Sequence, residues 1–115
     1  MVASRIDHLA IAAPSLQAGS DALFAQLGLR PQAGGRHDRM GTHNLLLRLG
    51  GALYLEVIAV DPAAPAPARP RWFGLDALAP DAAPRLACWV ARTDDIVGAA
   101  AALPLGEVLP MSRGT

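Results

Sequence analysis

The chain starts the same motif twice. Ile6-Asp7-His8-Leu9-Ala10-Ile11-Ala12-Ala13-Pro14-Ser15-Leu16 can be laid over Leu86-Ala87-Cys88-Trp89-Val90-Ala91-Arg92-Thr93-Asp94-Asp95-Ile96. In each copy a short apolar strand with one ligand-type side chain runs into a polar cap and an alanine-rich helix. The first copy continues through about three more strand-like segments, and the second runs out at Thr115. A repeat of this kind constrains the fold because each copy is one supersecondary unit. A site shared between two such units is expected to be only partly encoded here.

At 115 residues, 52% of them hydrophobic, the chain is long and apolar enough for one structural domain with a buried core. Ten basic residues cancel ten acidic ones, and the charges are scattered. That balance gives no electrostatic reason to expect nucleic acid or an anionic membrane as partner. The single cysteine cannot close an intrachain disulfide. A reducing compartment fits, and the cytoplasm is the expected location. No apolar run approaches the ~20 residues that span a bilayer.

Residues 1–60 read as a first βαβββ module. The pattern predicts a strand over 5–13, a helix capped by Ser15 and ended by Gly28, and a short strand over 30–35. His37 to Gly41 reads as an exposed loop. Asn44 to Leu49 and Leu53 to Val60 read as strands joined by a tight Gly50-Gly51 turn. Residues 61–85 form a linker. Its first part is rich in proline and alanine and suits neither a regular helix nor an inner strand. Its Trp72-Phe73-Gly74-Leu75 stretch is an apolar plug expected to pack on the first module. Residues 86–115 read as the start (βαβ) of a second module. They hold a strand over 86–91, a helix over 96–102 capped by Asp94 or Asp95, and a strand over 107–111. The expected class is α+β.

Strand alternation then sorts the side chains. Ile6, His8, Ala10 and Ala12 share one face, and Tyr54, Glu56 and Ile58 share one face. Leu9, Ile11, Leu55 and Val57 supply the apolar surface a helix needs, so His8 and Glu56 point to the opposite, concave side. An imidazole and a carboxylate converging there suit two ligands of a divalent metal, or equally an acid/base pair. Asn44 and Arg48 share a face that can meet a ligand. His43 is read as a surface or packing residue, and His37 as a solvated loop residue.

Five stretches carry a resemblance spread over nearly the whole chain. They are Ile6-Asp7-His8-Leu9, Gly41-Thr42-His43-Asn44-Leu45-Leu46, Tyr54-Leu55-Glu56-Val57-Ile58, Trp72-Phe73-Gly74-Leu75-Asp76 and Trp89-Val90-Ala91-Arg92-Thr93-Asp94-Asp95. Together they resemble the vicinal oxygen chelate superfamily and, within it, glyoxalase-like domains. The resemblance implies paired βαβββ modules cupped around a ligand, and in the metal-dependent members one ion held from the first and last strands of each module. Carried over, metal positions fall on His8, Glu56 and Cys88, with Glu56 also a catalytic base. The fourth position falls beyond Thr115. Zinc, iron, nickel or manganese are the implied ions, and thiolate at Cys88 departs from the family's usual histidine or carboxylate.

Three functions follow as expectations. The first is a metal-dependent lyase, isomerase or dioxygenase acting on a small carbonyl or vicinal-oxygen substrate, with Asn44, Arg48 and Tyr54 contacting it. The second is a metal-free cup that sequesters a small molecule, as the drug-binding members do. The third is a half-domain without complete activity. Exposed strand edges make a homodimer the expected assembly.

Overall fold

A computed structural model describes residues 3–110. The elements are β1 (Ser4–Ala12), α1 (Leu16–Leu27), β2 (Gln32–His37), β3 (Thr42–Arg48), β4 (Tyr54–Val60), a 3₁₀ stretch (Trp72–Ala77), β5 (Arg85–Thr93) and α2 (Ile96–Ala102). The class is α+β, as the residue pattern predicts.

The start of α1 follows from its cap. Ser15 is extended, and its Oγ accepts from the Ala18 amide at 3.1 Å. Gly28 ends the helix in the left-handed region at φ 70°, its N–H donating to the Phe24 carbonyl. Gly19 lies where the helix comes closest to the sheet. A methyl group added there would run into Val57 Cγ1. Gly19 therefore sets the distance between α1 and β4.

The five strands form one sheet in the order β2-β3-β4-β1-β5. β4 returns beside β1 in parallel, with His8 opposite Tyr54 and Ala10 opposite Glu56. β5 runs antiparallel on the other side of β1, with Ala10 opposite Cys88. One face packs under α1 through Ala13, Leu23, Leu55 and Val57, joined by Leu9, Ile11 and Leu45. The other face is covered at one end by Ala12, Ile58 and Leu75, with Trp72, Phe73 and Leu78 laid over them. The plug therefore packs on the first module. Phe73 takes a left-handed backbone at φ 59°, costly for a bulky residue. Arg85 Nη2 donates to its carbonyl at 2.9 Å.

The residues joining β4 to the plug form no regular element. Their start is nonetheless fixed, because Asp61 is buried and its N–H donates to the Gly41 carbonyl at 2.9 Å. Arg71 closes the other end, donating to Asp76 and, through Nε, to the same Gly41 carbonyl.

Several sequence expectations need correction. The second strand ends at His37 rather than Gly35, because His37 pairs with Thr42 across a tight reversal. The segment from His37 to Gly41 is not an exposed loop: His37, Met40 and Gly41 are buried. The β3–β4 turn is wider than a two-residue hairpin, closing with the Leu49 amide on the Leu53 carbonyl. Residues 107–110 form no strand, since no neighbour offers them a ladder, and Met111 lies outside the described residues. Among the described residues no helix is long and apolar enough to cross a membrane.

Candidate functional site

The cup-side face of β1, β3 and β4 carries a run of polar side chains that the core would otherwise reject. His8, Asn44 and Glu56 are each under 9% exposed, and so is His37. A buried carboxylate is costly unless hydrogen-bonded. Each oxygen of Glu56 has its own partner. Oε1 lies 3.2 Å from Nε2 of His8, and Oε2 accepts from Asn44 Nδ2 at 2.7 Å. His37 Nε2 stands 3.7 Å from Oε2, and its Nδ1 meets Thr42 Oγ1 at 2.9 Å. Asn44 Oδ1 accepts the Gly35 amide at 2.7 Å, which locks the amide's orientation and ties β2 to β4 through one side chain.

The far side of His8 is equally fixed. Its Nδ1 is 2.8 Å from Oδ2 of Asp7. Asp7 sits where the β1–β5 register slips between Ile6 and His8, and such an irregularity re-aims a side chain. Arg92 Nη2 lies 2.7 Å from the other Asp7 oxygen and also donates to the Ala52 carbonyl. Burial raises the Asp7 pKa, but the His8 hydrogen bond, the Arg92 charge and the Tyr54 hydroxyl together hold it below the ordinary carboxylate value. Tyr54 also stacks on the His8 ring at 4.7 Å and 12°. Trp72 meets His37 edge-on at 5.5 Å and closes the opposite flank.

This geometry fixes a proton. A carboxylate on Nδ1 makes that nitrogen the N–H, so a neutral His8 ring would turn a bare lone pair toward Glu56. Two acceptors do not face each other at 3.2 Å without a hydrogen between them. The pair therefore shares one proton. It is either imidazolium with carboxylate or imidazole with carboxylic acid, and Asp7 favours the charged ring.

The sequence-predicted residues fall as follows. His8, Glu56, Asn44 and Tyr54 come together. Arg48 lies on the same face, opposite Tyr54, at the exposed end of β3. Cys88 is on the same row as Glu56, but Ala10 stands between them. Two strand spacings of about 4.8 Å are more than a short thiol spans. Burial, and then the Glu56 charge, push the Cys88 thiol up from its ordinary value. His8 Nε2 and Glu56 Oε1 are spaced as two neighbouring ligands on one ion. Among the described residues, however, no three His, Cys, Asp or Glu side chains gather to hold one. The donor set His8, Glu56 and Cys88 does not fit a metal centre by itself.

Three residues escaped the sequence reading. His37 was set aside as solvated because Arg36, Asp38 and Arg39 flank it, yet alternation from β3 turns it inward. Asp7 was assigned to the helix face, and the register slip overrode that. Arg92 was read as ending a strand, and its pairing with Asp7 is a contact across the β1–β5 ladder. The largest cavity described, about 410 Å³, lies elsewhere, lined by Ala3, Ser4, Arg5, Arg92, Thr93 and Asp94. Its lining does not include His8 or Glu56, and the convergent buried polar groups are the better guide to chemistry.

Neither curated proteins nor solved structures offer a match to this chain. A family model described as a glyoxalase-like domain matches residues 6–114, nearly its whole length. The β1-α1-β2-β3-β4 order, with β4 returning in parallel beside β1, is the βαβββ module expected from the resemblance. The chain belongs to the glyoxalase-like domain family of the vicinal oxygen chelate superfamily.

Proposed function

We propose that the cup binds a small carbonyl compound and that His8 and Glu56 move protons on it, as in a lyase or isomerase. The observation behind this reading is the proton shared between His8 Nε2 and Glu56 Oε1 over 3.2 Å, with His8 oriented by Asp7. In the imidazolium–carboxylate form, Glu56 takes a proton from the carbon beside the carbonyl. His8 gives its Nε2 proton to the carbonyl oxygen. The product is an enol, and one proton has entered the pair as one has left. Returning a proton to the neighbouring carbon completes an isomerisation. Tyr54 lies against the His8 ring, and Arg48 on the same face suits an anionic substituent. No step is routed through a metal, because the described donors stop at two.

The test is proton NMR in deuterium oxide with a panel of small α-hydroxy and α-keto carbonyl compounds. Wild type is expected to wash deuterium into the carbon next to the carbonyl of at least one compound. Glu56→Gln is expected to abolish the exchange while preserving the fold. Wild-type exchange no faster than buffer for every compound would sink the reading.

A second reading, metal-free sequestration of a small molecule, draws support from the saturation of Glu56. Asn44 and His8 already occupy both its oxygens. This reading expects binding without exchange, retained in Glu56→Gln.

A further inference from the structure

We infer that a second copy of this chain pairs with the free edge of β5, extending the sheet through an antiparallel β5–β5 contact. β5 is the last strand of the sheet, and β1 satisfies only one of its edges. Its outer backbone groups are a template for another strand. The opposite edge, β2, carries Gln32, Gly34, Gly35 and Arg36 and offers no apolar surface.

The apolar surface concentrates at β5. Trp89 lies opposite Leu9 and Leu86 opposite Ile11, so both stand on the helix-bearing face despite their odd spacing. The register slip beside Ala87 brings them there. Leu86 is 65% exposed and Trp89 64%. Beside them α2 buries no residue at all, and Val97 is 69% exposed. A seven-residue helix with nothing beneath it is not stable in water.

The internal repeat says where the missing surface lies. α1 follows β1 and packs over β3 and β4, the strands on the side of β1 away from β5. α2 follows β5 in the same way, so its supporting strand belongs beyond the outer edge of β5. A second β5, antiparallel, supplies it reciprocally: each α2 lies over Leu86 and Trp89 of the partner subunit.

The strand is self-complementary in one register. Pairing centred on Trp89 sets Leu86 against Arg92 of the partner subunit and Arg85 against Thr93 of the partner subunit, so no like charges are opposed. Zero net charge adds no long-range repulsion. Covering Leu86, Trp89, Ile96 and Val97 removes on the order of 500 Å² per copy and about 1,000 Å² for two, the size at which specific interfaces begin.

The test is the solution mass of the full chain by sedimentation equilibrium across the micromolar range. We expect twice the 11.9 kDa chain mass in wild type. Trp89→Glu, an exposed position that leaves the core untouched, is expected to give the single-chain mass with an unchanged circular dichroism spectrum. Independently, Trp89→Cys in a Cys88→Ala background is expected to crosslink to a disulfide dimer on oxidation. Ala33→Cys in the same background, on the β2 edge, is expected to stay monomeric. A wild-type monomer throughout the range would overturn the inference. So would a dimer that survives Trp89→Glu, or equal crosslinking from both cysteine positions.

Discussion

Nε2 of His8 stands 3.2 Å from Oε1 of Glu56 while its Nδ1 is committed to Asp7 at 2.8 Å. One ring thus joins two carboxyl groups, and the proton of the inner contact has nowhere else to go. The chain of contacts runs from Arg92 through Asp7, His8, Glu56 and Asn44 to the Gly35 amide. It crosses four of the five strands, so changes at one end are felt at the other.

Asn44 tests the inner half of that chain. Asn44→Leu removes the donor to Glu56 Oε2 and the acceptor for Gly35 N–H together. Leaving buried polar groups without partners costs about 1–3 kcal/mol. Urea denaturation is expected to show a loss at the upper end of that range. Gly34→Ala is expected to lose stability too, because the added methyl runs into the Asn44 side chain.

Asp7 makes the outer half pH-dependent. Its folded pKa lies below the ordinary value of 3.8, so it stabilises the fold fully above about pH 4. That contribution fades as pH falls toward and through the lowered value. Asp7→Asn is expected to be less stable than wild type at pH 7. The two should converge when urea midpoints are compared at progressively lower pH. A gap that stays constant down the acid range would contradict this.

Cys88 reports on Glu56 from two strands away. Burial and the Glu56 charge both disfavour its thiolate, which is the reactive form. Iodoacetamide is expected to alkylate Cys88 more slowly than a free thiol at pH 8. Glu56→Gln should speed the reaction, since it removes the charge and leaves the burial. An unchanged rate in that variant would mean that burial alone holds the thiol up.

Gly19 sets two effects against each other. Alanine improves helix propensity by about 1 kcal/mol over glycine. The new methyl meets Val57 Cγ1, and overpacking of this kind costs about 1–3 kcal/mol. Gly19→Ala is therefore expected to be net destabilising. Pairing it with Val57→Ala should relieve the clash, which a double-mutant cycle measures.

The local instructions were legible in the residues alone. Ser15 and Gly28 bound α1 because a hydroxyl cap and a left-handed glycine act within one turn of chain. The alternation of β1 and β4 placed His8 and Glu56 on one face because strand period is a local property. Asn44 and Tyr54 came to the site by the same rule. What the residues did not reveal depends on pairing between distant strands. His37 is buried because β3 and Trp72 enclose it, although its own neighbours are charged. Asp7 turns toward His8 because a register slip between β1 and β5 re-aims it, and Arg92 finds it only across that ladder. Cys88 misses Glu56 because Ala10 lies between them in the sheet order. Periodicity and caps are fixed within a few residues, whereas register, burial and the path of a proton are fixed by the neighbours the fold supplies.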